Sequence, residues 1–289
     1  MTQPGTEQTY RQRILKVMVY IGDHLDGDLG LEAMARLSCF SPYHFHRIFR
    51  EQAGEPLGRY VRRLRMERAA ARLKQTQMGV LQIALEAGFE AHESFTRVFR
   101  EMFGESPSEY RKSLGVALGR AAGAGIEPRP TGAQIMQVKI ETLKPKRIAS
   151  IRHTGPYPEI GPVFGRLCQW AGPRNLFGPD TQVLGIFYDD PETTPADKLR
   201  SQAALTVGDD VEAEGEVTIG ELAGGDYAVV RHKGCYSKLI DTYRWVYGQW
   251  LPTSGREPGD VPCFEVYHND PKEVKPEDLE TDVYVPLKG

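Results

Sequence analysis

The chain has 289 residues, about twice the length of a typical domain, so two domains are expected. Hydrophobic residues make up 40% and charged residues 26%, values that exclude a collagen-like, a wholly disordered and a multi-span membrane chain. No apolar run approaches the roughly 18 to 20 residues that cross a bilayer, and the N-terminus lacks an apolar signal core, so a cytoplasmic protein without a membrane partner is expected.

The two halves of the chain differ in charge. Residues 1–113 hold 17 Lys and Arg against 14 Asp and Glu, and the remainder holds 19 against 25, which predicts two different tasks. The four cysteines lie far apart, without a CxxC pair or a histidine at metal-ligand spacing; they are Cys39, Cys168, Cys235 and Cys263. Free thiols are therefore expected, with no metal and no cofactor.

A linker is predicted between the halves. Residues 114–133 are rich in Gly, Ala and Pro and show no sustained hydrophobic periodicity. Helical spacing dominates before them, and a first helix is expected to bury one face made of Ile14, Met18, Ile21 and Leu25. Short β-branched and aromatic runs alternate with two helix-like stretches after them, which is typical of an α+β domain. The predicted domains are therefore 1–113 and 134–289.

One helical unit occurs twice in the first half. Eight residues recur fifty positions later: Phe45, Arg47, Phe49, Arg50, Glu51, Gly54, Glu55 and Tyr60 reappear as Phe95, Arg97, Phe99, Arg100, Glu101, Gly104, Glu105 and Tyr110. Each copy predicts a short helix, a tight turn and a second helix, which starts after Ser41 with Pro42 at its first position.

The predicted outward face of this unit suits DNA. It mixes Arg, His, Thr and Tyr, which can contact base edges in a major groove. Nine basic residues stand against three acidic ones between Ser41 and Lys74, a surplus that suits phosphate contact. A helical bundle with solvated arginines is the open alternative.

These repeats, including GFEAHESFTRVFREMFGESPSEYRKS from Gly88 to Ser113, resemble the DNA-binding domain of AraC/XylS-type transcription regulators. The resemblance implies two helix-turn-helix units with recognition helices at about 41–52 and 91–102. It implies base contacts from Tyr43, His46, Arg47, His92, Glu93, Thr96 and Arg97. The expected phosphate contacts are Arg50, Arg62, Arg100, Tyr110 and Arg111.

Two positions depart from that family pattern. Cys39 stands where a turn glycine is usual, so a positive φ there would store about 1 kcal/mol of strain. Ala91 stands where a small hydroxyl is common, which removes a hydrogen bond or phosphate contact at the start of the second recognition helix. The last helix of the unit begins with Ser106 and has Glu109 three residues on, which predicts a capping box.

The second half is also a duplication. VKIETLKPKRIASIRH at 138–153 aligns with VTIGELAGGDYAVVRH at 217–232, and VLGIFYDDP at 183–191 aligns with CFEVYHNDP at 263–271. The predicted fold class is therefore multidomain: an all-α double helix-turn-helix domain, then an α+β domain of two pseudo-symmetric strand-strand-helix-strand-strand repeats. His153 and His232 recur in both copies and are expected to be structural.

The symmetry breaks at Gly185, which corresponds to Glu265 in the second copy. On alternating strands Glu265 shares a face with Tyr267, and Gly185 shares one with Phe187. If that face lines a groove, a single acid among aromatic rings favours an apolar cation. A solvated Glu265 beside core rings is the open alternative.

The repeat pattern resembles the GyrI-like effector-binding domain over residues 134–288. The cues are the paired RHxGxY segments, the GIFYDDP run and the FEVY strand. In that family the acid of the FEVY-like strand lies in a multidrug pocket, and Glu265 matches it. The further effector-binding candidates are Tyr267, Phe187, Trp170, Tyr157 and Tyr236.

Together the two resemblances imply a sequence-specific transcription regulator that senses a small lipophilic, cationic ligand and is not an enzyme. Its expected partners are double-stranded DNA, the effector and RNA polymerase. The alternative is a small-molecule hydrolase or scavenger, with DNA binding secondary, that uses Glu265 with Tyr267 or Tyr236 as acid and base. No nucleophile elbow or phosphate loop in the sequence supports that alternative.

Overall fold

The structure is a computed structural model that describes residues 6–113, 136–191 and 194–289. The predicted linker at 114–133 lies outside the described residues. The described residues form two compact units. One unit contains 11–39 and 49–113, and the other contains 6–10, 40–48, 136–191 and 194–289.

The first half is helical, as its periodicity predicts. The helices are α1 (Thr6–Asp23), α2 (Leu31–Ser38), α3 (Pro42–Ala53), α4 (Leu57–Gln75), α5 (Val80–Glu86), α6 (His92–Phe103) and α7 (Pro107–Lys112). Helices α3 and α6 each follow a short helix and a turn. Each matches a predicted recognition helix but begins and ends one residue later than predicted. The first seven residues of α3 belong to the unit that contains the C-terminal sheet, and the rest belong to the helical unit.

The buried face of α1 differs slightly from the predicted one. Ile14, Val17 and Ile21 are buried, whereas Met18 is only half-buried. Tyr10 is also buried and extends this stripe toward the N-terminus, so the helical period runs through Val17 and leaves Met18 at the edge of the buried face.

The turns of the helical repeats match the sequence signals. Cys39 ends α2 at φ 57° and ψ 34°, the left-handed conformation expected for a turn glycine, and its counterpart Gly88 has φ 84°. Ser106 and Glu109 form the predicted capping box at the start of α7. Ala91 precedes α6 without a side-chain cap.

Many arginines of α4 make ion pairs with acids of the same unit. Arg63 binds Glu55 at 2.8 Å and Glu67 at 3.0 Å, and Arg68 binds Asp26. These acidic partners neutralise part of the excess positive charge from which phosphate contacts were predicted.

The C-terminal half is an eight-stranded antiparallel sheet with helices, which confirms the predicted α+β repeats. Its strands are β1 (Val138–Leu143), β2 (Lys146–Thr154), β3 (Val183–Phe187), β4 (Arg200–Thr206), β5 (Thr218–Leu222), β6 (Gly225–Lys233), β7 (Cys263–Tyr267) and β8 (Glu280–Pro286). They lie in the order β1-β6-β8-β7-β3-β4-β2-β5. Each copy therefore places its first strand at the edge of the other copy's half, so the two repeats form one sheet.

The centre of the sheet lies where the two copies meet. Strands β3 and β7 pair antiparallel, and Gly185 is directly opposite Glu265 in the middle of that pairing. Helix α8 (Gly161–Ala171) packs on the face that bears Ala149, Ala203 and Leu205. The corresponding helix of the second copy, α9 (Leu239–Trp245), continues through a π-helical turn at 246–250 into α10 (Leu251–Thr253).

No helix within 6–113, 136–191 or 194–289 is long and apolar enough to cross a membrane.

Candidate effector site and DNA-reading helices

Glu265 is a buried carboxylate at the centre of the C-terminal sheet. Its side chain lies on β7, and the residue is only 4% exposed. The Tyr243 hydroxyl donates to its Oε1 at 3.1 Å, and the Tyr267 hydroxyl donates to its Oε2 at 2.8 Å. Burial raises the pKa of Glu265 to about 7, although these two hydrogen bonds and the charge of Arg47 act to lower it. The carboxyl group therefore changes charge close to neutral pH.

Aromatic rings surround this carboxylate. The ring of Tyr267 meets those of Tyr236 and Phe164 edge-on, each at a centroid distance of 5.5 Å. Such rings present π faces that attract an organic cation, while the carboxylate supplies the opposite charge.

Gly185 lies directly opposite Glu265, and two aromatic side chains fill the space beside it. A Cβ atom at this position would lie 2.8 Å from the Tyr267 hydroxyl and 2.9 Å from the Phe187 ring. Any larger residue would therefore displace a tyrosine that holds Glu265. Tyr157 packs edge-on against Phe187 at 4.8 Å and donates its hydroxyl to the carbonyl of Asp189.

The structure thus brings five of the six effector candidates into one connected group. These are Glu265, Tyr267, Tyr236, Phe187 and Tyr157. Trp170 lies elsewhere: it packs at the edge of the core between α8 and the sheet, and Arg174 lies 4.9 Å from its ring.

Two further tyrosines, in α9 and its π-helical extension, belong to this site and were not predicted from the sequence. Tyr243 binds Glu265, and the Tyr247 hydroxyl lies 3.1 Å from the buried thiol of Cys263. At the eighty-residue offset of the repeat, Val163 stands in place of Tyr243 and Leu167 in place of Tyr247. This is the same kind of symmetry break that pointed to Glu265, so it could have identified both tyrosines.

The first predicted recognition helix contributes three buried residues to the same unit. His44 Nδ1 lies 2.6 Å from the Tyr247 hydroxyl, and His46 Nδ1 lies 2.9 Å from Asp190 Oδ2. Burial lowers the pKa of His44 to about 3, so this ring is neutral. Arg47 is 7% exposed, and His44 and His46 are more deeply buried.

The guanidinium of Arg47 lies on the tyrosines of α9 and its extension. It lies 4.6 Å from the ring centroid of Tyr243 and 5.3 Å from that of Tyr247. Its Nη1 donates to Cys263 Sγ at 3.4 Å and to the Tyr247 hydroxyl at 3.5 Å. The Tyr243 ring beneath Arg47 is therefore the ring whose hydroxyl binds Glu265.

The second predicted recognition helix is open to solvent. Its predicted base contacts line a shallow concavity of about 460 Å³ together with Arg100 and Glu101; they are His92, Glu93, Thr96 and Arg97. All of these except Thr96 are exposed, and Thr96 is half-buried.

The predicted phosphate contacts occupy varied positions. Arg62 and Arg100 are exposed, whereas Arg50 is buried and paired with Glu51 at 2.8 Å. The Tyr110 ring packs against Phe99 and is 8% exposed.

Arg111, the fifth predicted phosphate contact, is bound to main-chain atoms. Its Nε donates to the carbonyl of Leu73 at 3.3 Å, and its Nη2 donates to the carbonyl of Met78. This arginine therefore secures the C-terminal end of α4.

The duplicated histidines bind neighbouring atoms of their own turns. His153 Nε2 lies 3.3 Å from the carbonyl of Pro156, and His232 Nε2 lies 3.3 Å from that of Cys235. Among the described residues, no group of three His, Cys, Asp or Glu side chains is placed to hold a metal ion.

Comparison with known proteins identifies both halves. Residues 136–288 match the GyrI-like small molecule binding domain, and residues 34–113 match a helix-turn-helix domain. The right origin-binding protein of Escherichia coli K12 is 24% identical over 288 residues, which cover 95% of this chain and 98% of that protein.

Two relatives match one half each. The DNA gyrase inhibitor of Edwardsiella piscicida is 35% identical over 141 residues, which cover 47% of this chain and 88% of that protein. The regulatory protein SoxS of Salmonella typhimurium LT2 is 33% identical over 106 residues, 37% of this chain and 99% of that protein. The chain therefore belongs to the GyrI-like family, and it is a DNA-binding transcription regulator in which an AraC-type helix-turn-helix domain precedes the GyrI-like ligand-binding domain.

Proposed function

We propose that this regulator binds a lipophilic organic cation at the Glu265 site and that this binding changes its affinity for specific DNA sequences. The observation that carries the proposal is the arrangement of one buried carboxylate, held by Tyr243 and Tyr267, inside a group of aromatic rings. A carboxylate attracts positive charge, and the rings add both apolar area and cation–π attraction.

The position of Arg47 supports a cationic rather than an anionic ligand. Its guanidinium already lies over the Tyr243 ring, so a planar organic cation is accommodated beside this site. An anion would be repelled by an ionised Glu265, whose negative charge also offsets part of the positive charge of Arg47.

Two ions of nearly equal shape test this proposal. Tetraphenylphosphonium and tetraphenylborate have similar apolar area and opposite charge, so a difference in their binding to the full chain reports on charge alone. We expect at least about tenfold tighter binding of the cation at pH 8, and we expect Glu265→Gln to abolish most of that preference. Equal affinities for the two ions, or a preference that survives in the variant, would refute the cation site.

DNA recognition is proposed to use both recognition helices, with base contacts supplying specificity and arginines supplying salt-dependent affinity. The exposed face of α6, with Arg97 and His92, supports one reading element. We further propose action in the cytoplasm with RNA polymerase as a partner. Binding to the DNA upstream of the protein's own gene, against a scrambled competitor, tests the selectivity.

We propose that the small molecule is bound and released without chemical change, since the relatives that match nearly the whole chain or the helix-turn-helix half are named as origin-binding or regulatory proteins. Recovery of candidate esters and amides after incubation with the protein tests this point by mass spectrometry. Glu265→Gln is expected to weaken ligand binding whether the protein is a sensor or a hydrolase. Only a hydrolase would also show a turnover rate that this substitution lowers.

A further inference from the structure

Arg47 is a buried cation without an ionic partner. Although the residue is only 7% exposed, no carboxylate lies within ion-pair distance of its guanidinium among the residues that the structure describes. A buried charge is costly unless it is paired. Its direct contacts are two tyrosine rings, a hydroxyl and a thiol, and the carboxylates of Asp190 and Glu265 act on its charge only from beyond ion-pair distance.

The site that holds Arg47 is continuous with the Glu265 site. Tyr243 belongs to both sites, because the Arg47 guanidinium lies on its ring and its hydroxyl donates to the Glu265 carboxylate. Glu265 is 4% exposed, so a ligand that reaches its carboxylate must displace a group that now covers this region. A guanidinium is planar, delocalised and weakly hydrated, and it shares these properties with lipophilic organic cations.

Arg47 cannot lie on Tyr243 and contact a DNA base at the same time. The resemblance to AraC/XylS-type regulators implies that Arg47 reads bases, and its repeat counterpart Arg97 is exposed on α6. The two arginines of the duplicated motif thus differ: Arg97 faces solvent, whereas Arg47 lies on a tyrosine ring next to the carboxylate of Glu265.

We propose that Arg47 is a tethered occupant of a cation subsite formed by Tyr243, Tyr247 and Glu265, and that a cationic effector competes with it for this subsite. The proposal rests on the cation-sensing function proposed above. Displacement of Arg47 frees a base-reading side chain, so effector and DNA each favour the state in which Arg47 is released. Binding linkage then requires each ligand to raise the affinity for the other by the same factor.

Removal of the tethered occupant tests the competition. Arg47→Met keeps a long, unbranched side chain but removes the charge, and it is compared in the full chain with Arg36→Met, an exposed arginine of α2. If Arg47 occupies the subsite in nine of ten molecules, its removal raises the apparent affinity for tetraphenylphosphonium about tenfold. Arg36→Met is expected to bind this probe as the unaltered protein does.

A second measurement does not depend on a variant at Arg47. Phenylglyoxal modifies accessible guanidinium groups, and peptide mass spectrometry reports which arginine has reacted. Arg47 is expected to be protected in the free protein and to become modified several-fold faster in saturating tetraphenylphosphonium. Arg36 and Arg97 are exposed and are expected to react equally in both conditions.

The outcomes separate this inference from the function beneath it. If Glu265→Gln loses the probe but Arg47→Met gains no affinity and Arg47 stays protected, the competition is refuted while the cation site stands. If Glu265→Gln binds the probe as the unaltered protein does, the cation site fails and the competition fails with it. Tighter binding by Arg47→Met together with ligand-induced modification of Arg47 is the result that the proposal requires.

Discussion

Substitution of Glu265 by Gln is expected to make the stability of the protein less sensitive to pH. The pKa of this carboxyl group is about 7 in the folded protein, against an ordinary value of 4.5. Because the folded state holds its proton more tightly than the unfolded state, the free energy of unfolding falls as pH rises from about 4.5 to about 7. The sign is opposite to that of a carboxylate stabilised by a salt bridge.

The size of this effect follows from the shift of about 2.5 pH units. At about 1.4 kcal/mol per unit, ionisation of Glu265 costs about 3 kcal/mol of stability above pH 7. For the unit that contains the sheet, this corresponds to roughly 6 to 12 °C in melting temperature. Glutamine keeps the size and a carbonyl acceptor for a tyrosine hydroxyl but has no proton to lose.

The assay compares thermal unfolding of the two proteins between pH 4 and pH 8. The groups that face Glu265 do not titrate in this range, because burial raises the pKa of Tyr243, Tyr267, Tyr236 and Cys263 above their ordinary values. The charge of Arg47 also acts on Glu265, and Arg47 stays protonated throughout. Other titrations are common to both proteins and cancel in the difference. Parallel pH curves for the two proteins would refute the placement of Glu265 as a buried, desolvated acid.

Further predictions concern the site and the helical repeats. Gly185→Ala is expected to lower the free energy of unfolding by about 1–3 kcal/mol and to weaken tetraphenylphosphonium binding, because the added methyl group meets a tyrosine hydroxyl and a phenylalanine ring. Gly220→Ala is the control, since the nearest atom to its added methyl group would be 3.9 Å away. Cys39→Gly is expected to raise the free energy of unfolding by about 1 kcal/mol through relief of a positive φ, and an equal gain in the alanine variant would contradict this cause. Arg97→Ala is expected to weaken binding to selected DNA by about 1–3 kcal/mol and to scrambled DNA by less; equal losses would remove it from the base contacts. Arg111→Ala, if this side chain also binds a phosphate, is expected to flatten the salt dependence by about one unit, and a lower melting temperature with an unchanged slope would leave it only its backbone contacts.

Much of the architecture could be predicted because the signals are local or repeated. Proline at the first turn placed α3, and the Ser106–Glu109 capping box placed α7. The alignment of the duplicated segments predicted the strands. It also pairs Gly185 with Glu265, and these two residues lie opposite each other at the centre of the sheet. Repeats help because each copy checks the assignment of the other.

The burial of the first recognition helix could not be predicted in the same way. His46 and Asp190 are separated by 144 positions, and Arg47 and Tyr247 by 200, so no local pattern records these contacts. Nothing in the spacing of the duplicated motif distinguishes Arg47 from Arg97, since both occupy the same position of the same helix. Arg47 is buried because it lies on Tyr243 and Tyr247. The helical pattern of the sequence does not distinguish these two tyrosines from ordinary core residues.

Titration of the protein with the DNA upstream of its own and neighbouring genes tests whether it is a cation-sensing regulator. It is performed at several salt concentrations against a scrambled competitor, with tetraphenylphosphonium, with tetraphenylborate and without either. We expect selective, salt-dependent binding that the cation strengthens and the anion of the same shape does not. Absence of selection at low salt, or an identical response to both ions, would contradict a cation-sensing regulator.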